Sequence, residues 1–164
     1  AREYNIPITT ARGYSSLGPR YDIFRRFKNS GKIRLVVLML TDFDPDGEEI
    51  AASFVRSLRD DFRIKNIHAV KVALTADDVR QYDLPSDMDA KDSSPNYAKF
   101  VEKHNSTKVV ELDAAPVDLL QNSLRKSIEA HLDIEEYNAQ LEQAKQDSAI
   151  IEARRQVVFD MIGE

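Results

Sequence analysis

Asp42 and Asp44 stand two residues apart in the run Thr41-Asp42-Phe43-Asp44-Pro45-Asp46-Gly47, directly after the apolar stretch Ile33–Leu40. Side chains alternate along an extended segment, so both carboxylates are expected on one side of the chain. Two acids that close repel each other unless a proton or a cation lies between them. Hard oxygen donors favour Mg²⁺ or Mn²⁺, which keep several waters and complete their shell with phosphate oxygens. Asp46 is a third candidate ligand in the same loop. Gly47 permits a tight turn, and a helix N-terminus beyond it favours anionic groups nearby.

Other chemistries fit the run less well. An EF-hand loop also opens with alternating acids and a glycine, but position twelve counted from Asp42 is Ser53, where a bidentate glutamate is required. A haloacid-dehalogenase-type phosphatase carries its Asp-x-Asp after the first strand, whereas a strand and a helix are expected before Asp42. Asp46, Glu48 and Glu49 suffice to cap and solubilise a helix, which leaves Asp42 and Asp44 surplus to capping.

The elements that must position these acids alternate. Tyr4–Ala11 reads as a strand, and Gly18-Pro19 opens a helix with Tyr21, Phe24 and Phe27 at helical spacing. Ile33–Leu40 has the β-branched and leucine content of a strand buried on both faces of a parallel sheet. Further helices are expected over Glu48–Phe62, Ala76–Tyr82 and Tyr97–His104, and strands over Ile67–Ala73 and Lys108–Leu112. Residues 83–96, with Pro85 and Pro95, read as an exposed loop. The pattern predicts an α/β domain over residues 1–115, with a mainly parallel sheet of about four strands flanked by helices. A helical extension follows over residues 116–164, in which Ile134, Tyr137, Leu141, Ala144, Ser148, Ile151, Arg155 and Val158 alternate three and four apart in a thin heptad seam that its Ala, Ser and Arg members weaken. That seam suits packing on its own domain or pairing with another chain.

Asp42-Phe43-Asp44-Pro45-Asp46-Gly47-Glu48 resembles the Asp-x-Asp-Pro-x-Gly motif of Toprim domains, closest in style to the A subunit of topoisomerase VI and related plasmid or phage proteins. Thr10-Ala11-Arg12-Gly13-Tyr14 is similar to the segment preceding the motif there, and the likeness spans about residues 4–115. The resemblance implies a Rossmann-like Toprim fold, Mg²⁺ (or Mn²⁺) held by Asp42 and Asp44, and cleavage or joining of nucleic-acid strands. It also implies a general acid–base glutamate on a strand that this sequence lacks; Glu3 does not match it. Glu111 and Asp113, at the end of the last strand, are the local candidates for that role.

The phosphate side is expected at Arg12, Gly13, Ser15 and Ser16, where a strand meets a helix, extended by Arg20, Arg25, Arg26 and Lys28. Lys91 is a further candidate in the 83–96 loop. Net charge is −5, yet residues 1–34 carry eight Lys/Arg against two acids and the remainder 15 against 26. A basic segment beside an acidic site suits a nucleic-acid footprint, DNA first. The chain has no cysteine, which excludes disulfides, thiol nucleophiles and cysteine zinc sites. No apolar run is long enough to span a bilayer, and a cytoplasmic setting is expected. Three functions stay open: a Mg²⁺-dependent nuclease, nicking or topoisomerase-like module, part of a larger protein; a non-catalytic nucleic-acid-binding or assembly module; and a small-molecule phosphohydrolase.

Overall fold

The computed structural model describes residues 3–10 and 17–162. Arg12, Gly13, Ser15 and Ser16, the expected phosphate contacts, lie outside the described residues, as does Tyr14. In chain order the elements are α1 (Leu17–Ser30), β1 (Leu35–Leu40), α2 (Pro45–Asp60), β2 (Ile67–Ala73), α3 (Ala76–Gln81), β3 (Met88–Asp89), α4 (Tyr97–His104) and β4 (Lys108–Val109). A single 3-10 turn (Leu112–Ala114), α5 (Val117–Glu129) and α6 (Ile134–Ile162) complete a mixed α/β chain.

β1 and β2 pair in parallel from Leu35 opposite Ile67 to Met39 opposite Lys71, after which an extra residue on β2 sets Leu40 opposite Ala73. Thr41 continues this pairing: its N–H donates to the Ala73 carbonyl at 2.8 Å, and its own carbonyl accepts from Leu74 at 2.8 Å. Two residues on, Phe43 exchanges both backbone hydrogen bonds with Val110, at 2.8 and 3.0 Å, in an isolated antiparallel bridge. β3 and β4 form a second pair, which is antiparallel, with Met88 opposite Val109. The described strands thus form two two-stranded sheets. The mainly parallel arrangement expected from the alternating pattern holds for β1 and β2. The 83–96 loop contributes the antiparallel edge because Met88–Asp89 finds β4 within reach, where Thr107 Oγ1 and Lys108 Nζ both donate to Asp89.

The strand expected over Tyr4–Ala11 is corrected: residues 3–5 form a turn and 6–10 carry no regular structure. Asn5 sits at φ 51°, in the left-handed region that breaks an extended run, and Pro7 has no N–H for a ladder. β1 accordingly has β2 as its one described neighbour, and all six of its residues are half-buried rather than enclosed on both faces.

Two apolar clusters organise residues 1–128, one compact unit. Phe54, Leu58 and Ile64 form the first, against Phe24 and Phe27 of α1 and Leu35 and Val37 of β1. The second joins Phe43, Leu74, Leu84, Phe100, Val110 and Leu119 beneath the acidic loop. Because Leu119 enters this cluster and Ile128 is also buried, the unit runs through α5 to Ile128 instead of ending near residue 115. The second unit, residues 129–164, is built on α6, whose start Asp133 caps by accepting from the Glu136 N–H at 3.0 Å. No described helix is long and apolar enough to cross a membrane.

Candidate functional site: an aspartate pair at the end of β1

Phe43 fixes the acidic loop. Its ring is 4% exposed and lies 5.1 Å from the Phe100 centroid and 4.8 Å from that of His104. With Phe43 turned into the core and its backbone held by Val110, the flanking residues Asp42 and Asp44 project from the opposite side of the extended chain. Asp42 Oδ1 accepts from the Leu112 N–H at 2.7 Å, tying the loop to the turn after β4. Asp44, expected to be surplus to capping, is instead the N-cap of α2, because the helix starts at Pro45: its Oδ1 accepts from the Gly47 N–H, and Pro45 follows where a missing N–H costs nothing. Gly47 is required by close approach, since a Cβ there would sit 2.6 Å from the Asp42 carbonyl oxygen and 2.9 Å from Asp44 Oδ1.

Electrostatics couple the two acids. Burial pushes the Asp44 carboxyl above its ordinary range, against the Gly47 N–H that favours the charged form, and the negative charges of Asp42 and Asp46 add to the rise. Lys71 of β2 opposes it. The Lys71 ammonium donates to the Asp42 carbonyl at 3.0 Å and lies 5.9 Å from the Phe43 ring centroid. Its own pKa is lowered by burial, partly offset by the fields of Glu48, Asp44 and Asp42. One residue before the pair, Thr41 Oγ1 is buried with no hydrogen-bond partner among the described residues. Such a group is ordinarily satisfied by protein or by bound water.

The remaining acids of the loop face α4 and the segment before it. Asp46 Oδ1 accepts from Ser94 Oγ at 2.9 Å and Asn96 Nδ2 at 3.3 Å, which draws it toward the 94–96 segment. Glu48 takes Lys103 Nζ at 2.9 Å and His104 Nε2 at 2.7 Å, and Glu49 takes Arg56 together with Lys99 Nζ at 3.4 Å. A small cleft of about 130 Å³ runs between these residues, lined by Pro45, Ala52, Asn96 and Phe100 as well as the charged groups.

Glu111 is exposed and immediately precedes Leu112, whose N–H holds Asp42; its backbone carbonyl accepts from Ala114 at 3.1 Å. Asp113 is exposed within the 3-10 turn. Arg20 lies between α1 and α2, donating to Ser57 Oγ at 3.2 Å with its guanidinium 5.7 Å from the Phe54 ring centroid. Arg25 pairs with Asp22, Arg26 donates to Thr9 Oγ1, and Lys28 covers the Phe24 ring. Lys91 is exposed at the start of a turn closed by the Ser94 N–H.

Sequence reasoning missed Lys71, Lys99 and Lys103, which reach Asp42, Glu49 and Glu48 from other elements. Lys71 had a signal: it is the one lysine in the otherwise apolar latter half of Ile67–Ala73. Lys99 and Lys103 lie four apart on α4, one helical face, but nothing local says which helix that face meets.

The residues present fit a divalent cation in part. Each aspartate commits one oxygen to a backbone N–H, which orients the carboxylate and leaves its second oxygen for a metal, with Thr41 Oγ1 close by in sequence. Among the described residues, no group of three or more acidic or histidine side chains is gathered to hold a metal. A Mg²⁺ ion with one or two carboxylates, water and substrate phosphate is the arrangement the pair could support. Comparison with protein-family models, with curated proteins and with solved structures finds no match for this chain.

Proposed function

We propose that Asp42 and Asp44 form a Toprim-like site that holds Mg²⁺ or Mn²⁺ for cleavage or transfer of a phosphodiester on nucleic acid, DNA in the first instance. The observation that carries this reading is the coupled pair itself: two acids at the carboxyl end of a parallel strand, each fixed by a backbone N–H, with Asp44 driven toward its proton by burial and by its neighbour. Ligands of α/β sheets bind at that strand edge, and the order β1, acidic loop, α2, parallel β2 suits the Toprim reading of the fold. A bound cation would offset charge developing on the attacked phosphate and its leaving oxygen. Of the chain's own groups, Asp42 and Asp44 orient it, Lys71 supplies a fixed positive charge beneath the pair, and Lys99 and Lys103 offer contacts to flanking phosphates. Glu111 is the candidate acid–base group, because its neighbour's N–H already grips Asp42.

The test is nicking of supercoiled plasmid in Mg²⁺ and in Mn²⁺. Nicking by the intact chain, reduced at least about a hundredfold by both Asp42→Ala and Asp44→Ala with unchanged circular dichroism, supports the proposal. Nicking unaffected by both substitutions ends it. Lys71 favours a second reading, a non-catalytic nucleic-acid-binding module whose acidic pair is balanced by the protein's own ammonium. DNA binding that persists in EDTA, with no nicking in Mn²⁺, selects that reading.

A further inference from the structure

The second unit carries 29 residues of continuous helix, α6, and every residue from Asn138 to Ile162 is exposed. Ile151 is 58% exposed, Val158 53% and Ile162 77%, an unusual state for large aliphatic side chains. In heptad terms one seam position takes Leu141, Ser148, Arg155 and Ile162, and the other takes Tyr137, Ala144, Ile151 and Val158.

We infer that α6 pairs with α6 of a second copy of this chain, running antiparallel. Three features select the occupant and its direction. In a parallel pair Arg155 would face its own copy inside the seam, burying like charges together. A parallel pair would also set Asp147 beside the partner's Glu152 on the flanks, again like against like. Antiparallel, both conflicts disappear and the flanks attract: Arg155 no longer meets its own copy, Asp147 meets the partner's Arg154 on one flank, and Lys145 meets the partner's Glu152 on the other. By symmetry each pairing occurs twice. Along the seam Leu141 then meets the partner's Val158, Ile151 the partner's Ser148, and Arg155 the partner's Ala144, so the guanidinium can extend past a methyl to water. Within a single chain the same charges make long, exposed contacts, Lys145 to Glu142 at 3.5 Å and Arg155 to Glu152 at 3.4 Å, which cost little to exchange. A shallow apolar hollow lined by Ile151, Arg154, Arg155, Val158 and Phe159 lies on the stretch that would receive the partner's Leu141 and Ala144. Ile150 and Val157 fall outside the seam and stay exposed.

Sedimentation equilibrium of the full chain tests this. The expected mass is twice the 18.7 kDa of one copy. Ile151→Lys abolishes the dimer, whereas Ile150→Lys, one residue away on the same exposed helix, leaves it intact. Arg154→Glu weakens association about tenfold, and adding Asp147→Lys restores it. Since the chain has no cysteine, a spin label at Gln140→Cys reads direction: about 28 Å between labels in the antiparallel register, against about 10–15 Å side by side. A monomer at tens of micromolar protein, a dimer indifferent to Ile151→Lys, or the short label distance each overturns the inference.

Discussion

Replacing Asp44 by asparagine separates the two jobs its side chain performs. Asparagine keeps a carbonyl oxygen for the Gly47 N–H and ranks with aspartate as an N-cap, so α2 keeps its start. What disappears is a half-buried negative charge facing Asp42 and Asp46, whose cost outweighs the help from the cap and from Lys71. Each pKa unit corresponds to about 1.4 kcal/mol, and partial solvent access reduces this to a gain of about 0.5–1 kcal/mol at pH 7. Below the ordinary carboxylate range the native and unfolded chains both hold the proton, and wild type and variant should coincide. As pH rises, the unfolded carboxyl ionises first, while the native one must ionise in its unfavourable place, so wild-type stability falls and the gap opens. Urea unfolding at pH 3 and pH 7 measures both ends. Asp44→Ala, which also loses the cap, should lie about 1 kcal/mol below Asp44→Asn at either pH. An Asp44→Asn chain less stable than wild type at pH 7, or stabilised equally at pH 3, would refute the reasoning.

Glu48 should behave in the opposite sense: burial pushes its carboxyl up, but the hydrogen bonds and charges of Lys103 and His104 win and hold it below the ordinary range. Its contribution is present above that range and lost as pH falls through the lowered native value, so Glu48→Gln should cost about 1 kcal/mol in urea unfolding at neutral pH, shrinking on acidification. Lys71→Met removes the ammonium beside the aspartates; Mg²⁺ affinity should rise about fivefold by calorimetry while DNA affinity in EDTA falls. Phe43→Ala should cost about 3–5 kcal/mol in unfolding free energy, because the buried ring also sets the direction of both aspartates.

Local signals placed most of the site's frame. The β-branched run ending at Leu40 and the helix expected over Glu48–Phe62 each produced their element within a few residues, although α2 starts earlier, at Pro45, because Asp44 caps it. Phe43 was legible only as the spacer between two acids; that its ring anchors the loop depends on Phe100 and Val110, far along the chain. The same holds for Lys71 and for the Leu112 N–H that grips Asp42, because strand register decides what lies beside the loop. Tyr4–Ala11 misled because Pro7 withholds a ladder N–H and no described strand offers the segment an edge. Arg20 looked like open positive surface because its contacts with Ser57 and Phe54 come from the next helix over.

Isothermal titration of Mg²⁺ and of Mn²⁺ into the intact chain, repeated with Asp42→Ala and Asp44→Ala, bears most directly on the proposed site. The account predicts saturable binding that either substitution weakens at least about tenfold, since each removes one of two oxygen ligands. Affinity unchanged in both variants, or no binding to the unsubstituted chain, would contradict it.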